Sequence, residues 1–258
     1  MHFDGRLDPG DVAWKAVAVS ISDLAAMGAY SERLLLTLAH PGPDAAWMKA
    51  FADGLAAACG HFEVDLVGGD TTRADSCCVG VTALGRLRRR PLTRSGARPG
   101  DRLYVAGTLG LAGAGYRWEA PPAEALRALR RPEPPVGFAL ALAELGLASA
   151  AMDASDGAAS DLPRLAHSSG VCIELEPRLI PVAEVLVDSP DLRELLLGAG
   201  DDYALWFTSS EDAADLQELG AQHGVCVSAV GRVLEGEGAH CTDGSWPVSA
   251  WQHFGGGS

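Results

Sequence analysis

The sequence predicts an α/β (α+β) protein built from two domains. Three observations support this class. Helical and strand-like segments alternate in both halves, a loop rich in arginine and proline separates the halves, and 48% of the 258 residues are hydrophobic. A chain of this length and composition can form one large domain or two modest ones with their own cores. The expected units are residues 1–90 and 91–254, followed by a glycine-rich tail at 255–258.

The first half predicts a helix, a strand, a second helix and two further strands. The first helix has Asp8 as a plausible N-cap and Pro9 in its first turn, and runs through AVAVSISDLAAMGAY. This run is almost wholly apolar, so we expect a buried helix with the carboxylate of Asp23 inside it. The next elements are the strand RLLLTLAH, the helix DAAWMKAFADGLAAACGHF, which begins at Asp44, and the strands VDLVGGD and SCCVGVTALGRL.

The domain boundary is expected in the segment RLRRRPLTRSGARPGD, which is the basic cluster of an acidic chain. By composition alone, a solvated linker is the simpler explanation of these arginines. The second half continues with the strand RLYVAG, a turn of small residues, a stretch rich in proline and arginine, and the helix VGFALALAELG. The strands SAAMDASDG, VCIELEP, DYALWFTSS and VCVSAVGRVLEG then alternate with the helices AASDLPRLAHSSG, DLRELLLGAG and EDAADLQELGAQHG.

Charge and composition exclude several classes of function. The formal net charge of −14 argues against a nucleic-acid partner, whose phosphates require a basic face. The sequence shows no signal peptide and no apolar run of membrane-spanning length, so we expect a cytoplasmic protein. None of the six cysteines forms a C-x-x-C pair, and we expect all of them to be reduced.

Aspartates cluster near the ends of predicted elements. They are Asp23, Asp70 after a double glycine, Asp153 and Asp156 in MDASDG, and Asp201 and Asp202 in GAGDDYAL. Taken singly, such carboxylates are most simply caps and turn residues. Together they suggest several Mg²⁺ ions held against a polyphosphate, because Mg²⁺ is typically bound by one or two carboxylates plus substrate phosphates. Calcium-loop and P-loop patterns are not found, and the spacing shows no Cys–His or Ser–His pairing.

Five segments, in this order along the chain, resemble the thiamine-monophosphate kinase family. That family belongs to a superfamily that also contains aminoimidazole-ribonucleotide synthetase, selenophosphate synthetase and the hydrogenase-maturation dehydratase. The segments are KAVAVSISDLAAMGA, LVGGDTTR, LTRSGARPGD, MDASDG and GAGDDYAL. The resemblance extends from His2 to about Phe254. It implies a two-domain protomer with an N-terminal dimerisation domain and a C-terminal α/β domain, which forms a homodimer. It also implies transfer of the γ-phosphoryl group of ATP to thiamine phosphate, giving thiamine diphosphate.

The same resemblance implies roles for individual residues. The implied magnesium ligands are Asp23, Asp70, Asp153 and Asp156; the implied ATP contacts are Gly69, Asp70, Arg94 and Ser155; and the implied substrate contacts are His2, Asp201 and Trp251. The chemistry agrees, because phosphoryl transfer requires in-line positioning and charge neutralisation rather than a covalent nucleophile. No side chain is therefore expected to act as a covalent catalyst.

The sequence departs from the family pattern at three places. Ser20 stands where the family usually has asparagine, and Asp201 stands where it usually has glutamate. The family also has a segment before the position of His2, with a Gly-Asp-Asp turn and a Thr-Asp strand that supply further metal ligands. A chain without that segment is expected to have impaired activity. The alternatives are a non-catalytic nucleotide-binding relative and a superfamily phosphotransferase with a different acceptor.

Overall fold

Two β-sheets organise the chain, one in each half. The computed structural model describes residues 3, 6–244 and 246, so the predicted contacts His2 and Trp251 lie outside the described residues. The elements of the first half are α1 (Pro9–Ala26), β1 (Ala29–His40), α2 (Ala45–His61), β2 (Asp65–Arg73) and β3 (Cys78–Leu87). Their sheet has the order β2-β1-β3, with β1 parallel to β2 and antiparallel to β3.

Helices α1 and α2 cover one face of this first sheet. Alternate residues of β1, Leu34 and Leu38, point into a core that also contains Trp14, Ile21 and Phe51. Helix α2 begins as the sequence predicts, because the Asp44 carboxylate accepts a 2.7 Å hydrogen bond from the backbone N–H of Trp47. The first sheet is therefore held against two helices on one side, while every residue of β2 is exposed.

The second half contains a six-stranded sheet with the order β5-β7-β4-β8-β6-β9. Its neighbouring strands are antiparallel except β6 and β9, which are parallel. The elements are β4 (Arg102–Ala106), α3 (Leu111–Arg117), α4 (Ala123–Arg130), α5 (Val136–Leu145), β5 (Ala150–Ala154), α6 (Ala158–Ser169), β6 (Cys172–Leu175), α7 (Leu192–Gly198), β7 (Ala204–Ser209), α8 (Ala213–Gln222), β8 (Val227–Leu234) and β9 (Gly238–Cys241).

Both faces of this second sheet are buried, and successive residues of β7 show why. Trp206 packs into a core formed with Leu162 and Leu165 of α6. Phe207 points the other way, into a core that includes Phe138 of α5. The end of α1 enters this second core through Ala25 and Ala26. Helix α1 therefore packs against both sheets, and it carries side chains of the first half to the edge of the second.

The structure confirms the α/β class and corrects several local expectations. Helix α1 ends at Ala26, before the predicted Tyr30. Asp8 occupies its N-cap position without a side-chain capping hydrogen bond. Segments read as a small-residue turn and a Pro- and Arg-rich stretch contain helices α3 and α4, and strand β9 was not predicted. Within the described residues, no helix combines the length and apolar content needed to cross a bilayer.

Candidate active site

An open cavity of about 540 Å³ lies where the end of α1 meets β5 of the second sheet. Its walls are completed by the loop 92–95, which follows the first sheet, and by the end of α6. Three of the sequence-predicted residues, Asp23, Arg94 and Asp153, line it. Another cavity of about 440 Å³ lies between the start of α1 and the middle of α2, and none of the predicted site residues lines it.

Asp23 lies on the exposed side of α1, which corrects the expectation that its carboxylate is buried inside the helix. The nearby residues Ser22 and Ala25 lie on the buried face instead. The cavity walls still displace part of the water around Asp23, and this desolvation raises its pKa, an effect that the positive charge of Arg94 opposes. Asp23 therefore faces the cavity as an exposed carboxylate in partly dehydrated surroundings.

Asp153 lies opposite, near the end of β5, and it is 6% exposed. Desolvation raises the pKa of Asp153 to about 6, the negative charge of Asp23 adds to this rise, and Arg94 opposes it. The Ser22 hydroxyl donates a 3.5 Å hydrogen bond to the Asp153 carboxylate. Two carboxylates from different halves of the chain thus face one cavity with a guanidinium at its edge. Such a pair favours a bound proton or cation between the charges.

Asp156 lies two residues after the end of β5, and residues of α6 hold it in place. Its carboxylate forms an ion pair with Arg164, and its backbone N–H donates a 3.3 Å hydrogen bond to Asp161. Asp161 is fully buried, and its second carboxylate oxygen has no hydrogen-bond partner within the described residues. Desolvation raises the pKa of Asp161 to about 8, and the charges of Asp156 and Asp153 contribute. Asp161 and Arg164 were not identified from the sequence as part of the acidic cluster.

The loop that carries Arg94 is anchored on three sides. The backbone N–H of Leu92 donates to the carbonyl of Met27 at the end of α1, and the N–H of Ala151 in β5 donates to the carbonyl of Thr93. Ser169, at the end of α6, fixes the other side: its hydroxyl donates a 2.8 Å hydrogen bond to the Arg94 carbonyl and accepts from the N–H groups of Gly96 and Ala97. The exposed guanidinium of Arg94 therefore projects from a well-fixed backbone.

Asp201 adjoins MDASDG through the backbone, since its N–H donates a 2.8 Å hydrogen bond to the carbonyl of Ser155. Gly200 permits this approach, because it has a φ of +69° and a Cβ there would lie 2.5 Å from that carbonyl oxygen. The Asp201 carboxylate forms an ion pair with Lys15 of α1 and accepts a 2.9 Å hydrogen bond from the Tyr203 hydroxyl. Lys15 is only 4% exposed, and the sequence analysis did not identify it.

Asp202, the neighbour of Asp201, has a local structural role. Its carboxylate accepts hydrogen bonds from the backbone N–H groups of Gly110 (2.8 Å) and Ala112 (3.3 Å) at the start of α3. Loss of water around this half-buried group raises the pKa of Asp202 to about 7, while the two hydrogen bonds act against the rise. Asp202 therefore stabilises the helix start, as a capping residue is expected to do.

Gly69 and Asp70 lie on β2, in the other sheet. Asp70 is exposed and is paired with Thr37 of β1, and its side chain has no hydrogen bond or ion pair in the described part of the chain. Gly69 has a φ of +152°, and a Cβ there would lie 1.9 Å from the carbonyl oxygen of Leu36. The close approach of β1 and β2 is therefore sufficient to explain why glycine occupies position 69. The structure places Asp23 and Asp153 in the wall of one cavity. Asp156 does not line that cavity and forms an ion pair with Arg164, and Asp70 lies on the exposed strand β2.

Across residues 3, 6–244 and 246, no three His, Cys, Asp or Glu side chains are grouped closely enough to hold a metal ion by themselves. A magnesium ion would therefore require ligands beyond the protein side chains, as is usual where a phosphate substrate supplies part of the coordination shell. Asp23 and Asp153 offer oxygen ligands of the right chemistry, and a cation there would relieve their mutual repulsion.

Comparison with known proteins identifies relatives along most of the chain. Residues 1–87 match the family model of the AIR synthase related protein N-terminal domain, and residues 98–244 match the C-terminal domain of the same family. The chain is 36% identical to a thiamine-monophosphate kinase of Escherichia coli K12 over 246 residues, which cover 90% of this chain and 75% of that protein.

Two solved structures are similar along nearly the full chain. One is thiamine-monophosphate kinase from Stenotrophomonas maltophilia K279a, with a TM-score of 0.89 and 34% identity, covering 96% of this chain and 83% of that one. The other is AaThiL complexed with AMPPCP and TMP, with a TM-score of 0.86 and 29% identity, covering 98% and 83%.

Proposed function

The chain belongs to the thiamine-monophosphate kinase family, and from this premise we propose that it transfers the γ-phosphoryl group of ATP to thiamine phosphate. The products are thiamine diphosphate and ADP. AaThiL, complexed with an ATP analogue (AMPPCP) and TMP, is a structural neighbour over 98% of this chain, which supports this pair of substrates.

The observation that carries the proposal is that Asp23 and Asp153 line one cavity together with Arg94. Helix α1 supplies one carboxylate and β5 supplies the other, so the pair forms only when the two halves are packed together. The carboxylates suit the cations that accompany ATP, and the fixed donors of the guanidinium suit phosphate oxygens. An acidic chain can bind a polyphosphate in this way, because bound cations reverse the local charge.

Magnesium fits this donor set. Asp23, Asp153 and Asp156 would hold it, with Asp70 as a further ligand proposed from the family resemblance alone. An ion held there would supply positive charge that neutralises the phosphates during transfer. Desolvation and the nearby charge of Asp23 raise the pKa of Asp153, and a bound cation would offset both effects.

The chain's own residues bind and orient the phosphates. Arg94 contacts phosphate oxygens of ATP, and Ser155 and Gly69 are proposed as further ATP contacts. An oxygen of the thiamine phosphate attacks the γ-phosphorus as the bond to ADP breaks, and this step needs alignment rather than a covalent enzyme intermediate. Asp201, held by Lys15 and Tyr203, contacts the acceptor, and His2 and Trp251 are proposed from the resemblance to complete its site.

A homodimer is part of the same proposal. The three strands of the first sheet expose large apolar side chains, which are Leu35 on β1, Leu66 and Val67 on β2, and Leu84 on β3. Exposed strands with apolar side chains favour pairing with another copy. A cytoplasmic location is proposed as well, and it is supported by six cysteines that all remain free.

The direct test is formation of thiamine diphosphate from thiamine phosphate and ATP, in reactions with and without Mg²⁺. Chromatography measures the product. We expect Asp153→Asn to lower the rate by about 100-fold or more, because one charge in a dehydrated site contributes several kcal/mol to such a transfer. Asp215→Asn, on the exposed side of α8, is the matched control and should retain the rate.

Calorimetric titration with ATP separates the competing functions. Binding that requires Mg²⁺, together with product formation, supports the kinase. Magnesium-dependent binding without turnover would instead indicate a non-catalytic nucleotide-binding relative. ADP release with another phosphate ester, but none with thiamine phosphate, would indicate a different acceptor. Equal ATP affinity in EDTA would exclude the proposed metal site.

A further inference from the structure

A cysteine, a histidine and a glutamate form a hydrogen-bonded chain on the second sheet, among the strands β6, β8 and β9. The sulfur of Cys172 lies 3.4 Å from Nδ1 of His240, and Nε2 of His240 lies 3.3 Å from a carboxylate oxygen of Glu174. The other carboxylate oxygen of Glu174 accepts a 2.5 Å hydrogen bond from Arg232. None of these residues lines the proposed active site.

Strand register explains why these side chains meet. Cys172 and Glu174 are two residues apart on β6 and therefore point to the same face, while Ile173 and Leu175 between and after them are buried on the other. Glu174 is paired with Arg232 on one neighbouring strand and with His240 on the other. The arrangement is thus fixed by the sheet ladder rather than by flexible loops.

Glycine keeps space open beside the thiol. Cys172 is paired with Gly238 of β9, which has no side chain, and the His240 ring can therefore lie along the strand towards the sulfur. Cys172 is half-buried and His240 is 47% exposed at its side chain, so small molecules can reach the pair from solvent.

The Glu174 carboxylate orients the imidazole. Arg232 and the hydrogen bond with His240 hold the pKa of Glu174 below its usual range, so this group is an anion that accepts the N–H at Nε2. The lone pair at Nδ1 then faces Cys172 and can accept its proton. A nucleophile, a base within reach and a third group that orients the base are the elements of an activated thiol.

We propose that Cys172 is a modification site, whose thiol is activated by His240 and Glu174 and exchanges with low-molecular-weight disulfides. The thiolate attacks one sulfur of the disulfide, a new S–S bond forms to Cys172, and the original S–S bond breaks. The departing thiolate takes up the proton that His240 received. The exchange conserves electrons and needs no other oxidant.

Glutathione disulfide is the probe for the test. The protein is incubated at neutral pH, quenched with acid at intervals and digested, and the glutathione adduct on each cysteine peptide is quantified by mass spectrometry. Cys226 is the internal reference, because it is exposed and its sulfur has Ser228 as a neighbour at 3.9 Å instead of a histidine. We expect Cys172 to react about fivefold faster, because Nδ1 of His240 lies within reach to accept the thiol proton as the sulfur attacks.

His240→Gln should lower the Cys172 rate to that of Cys226, whereas His167→Gln, which changes an exposed histidine on α6, should leave it unchanged. Alkylation with iodoacetamide, measured in the same way, should give the same order of rates. If the variants keep the melting temperature of the unmodified protein, a difference in rate reflects the reactivity of the thiol rather than unfolding. Equal rates at Cys172 and Cys226, or a Cys172 rate that His240→Gln does not alter, would overturn the proposal.

Discussion

At the residue scale, Asp161 is expected to make stability depend on pH. Its folded-state pKa of about 8 lies above the value of about 3.9 for an unfolded aspartate, so folding favours the protonated form. The resulting stabilisation is complete below about pH 4 and is lost as the pH rises towards 8. We expect Asp161→Asn to weaken this decline and to raise the free energy of unfolding by about 2 kcal/mol at pH 8.

Urea denaturation in EDTA between pH 4 and 8 measures this effect without metal. Asp215→Asn, on an exposed helix surface, should follow the unmodified protein at every pH. A decline that is equally steep in Asp161→Asn would show that this carboxyl does not carry the excess proton. Asp153, with a raised pKa of about 6, should account for part of the remaining slope.

Lys15 is the second residue whose role can be tested alone. Its ammonium group is buried and forms an ion pair with Asp201, which we propose contacts the acceptor. Lys15→Met keeps the length of the side chain and removes the charge, so Asp201 loses the group that orients it. We expect a KM for thiamine phosphate about tenfold higher, which corresponds to about 1.4 kcal/mol, with a smaller change in kcat.

Lys49→Met is the matched control for this substitution. Lys49 forms a comparable ion pair with Asp53 on α2, but both side chains are largely exposed, and such pairs contribute little. Its KM and its melting temperature should match those of the unmodified protein. A Lys15→Met enzyme with an unaltered KM would remove the proposed link between α1 and the acceptor.

At the scale of elements, α6 positions the loop that carries Arg94. The single hydroxyl of Ser169 makes three hydrogen bonds to this loop, at the Arg94 carbonyl and at two backbone N–H groups. Ser169→Ala should therefore cost about 1 kcal/mol in stability and raise the KM for ATP several-fold, while the KM for thiamine phosphate changes less. Ser210→Ala, which changes an exposed serine after β7, is the control, and its KM is measured for both substrates. Equal changes in both KM values would argue against a specific role in positioning Arg94.

At the scale of the whole molecule, the exposed edge strand β2 of the first sheet should determine the oligomeric state. Leu66 and Val67 are 44% and 54% exposed on β2, which is an edge strand within the described sheet. We expect Leu66→Lys combined with Val67→Lys to convert a dimer into a monomer in sedimentation velocity, because charges at an apolar interface oppose association. Leu145→Lys, which alters a more exposed leucine at the end of α5, should leave the dimer intact. A monomeric parent protein would contradict the proposed interface.

The sequence by itself determined the class of the fold and most of its elements. Apolar periodicity predicted α1, α2 and the strands of both sheets except β9, because burial imposes a repeat of 3.6 or 2 residues on the chain. It did not reveal α3, whose glycines and alanines are equally typical of a turn, or α4, which is a short helix between proline-rich segments. The family resemblance identified Asp23, Asp70, Asp153 and Asp156 as candidate magnesium ligands. The similarity to known thiamine-monophosphate kinases confirms the family itself.

Only the tertiary structure decided how these residues are combined. Sequence order cannot show that Asp23 is exposed on a cavity wall, because the exposure of a residue in an apolar helix depends on what packs around it. It cannot bring Lys15 to Asp201 or His240 to Cys172, since contacts between distant residues arise from strand order and register. The physical reason is the same in each case. Local sequence determines the periodicity of an element, whereas the packing of whole elements determines which side chains lie together at one site.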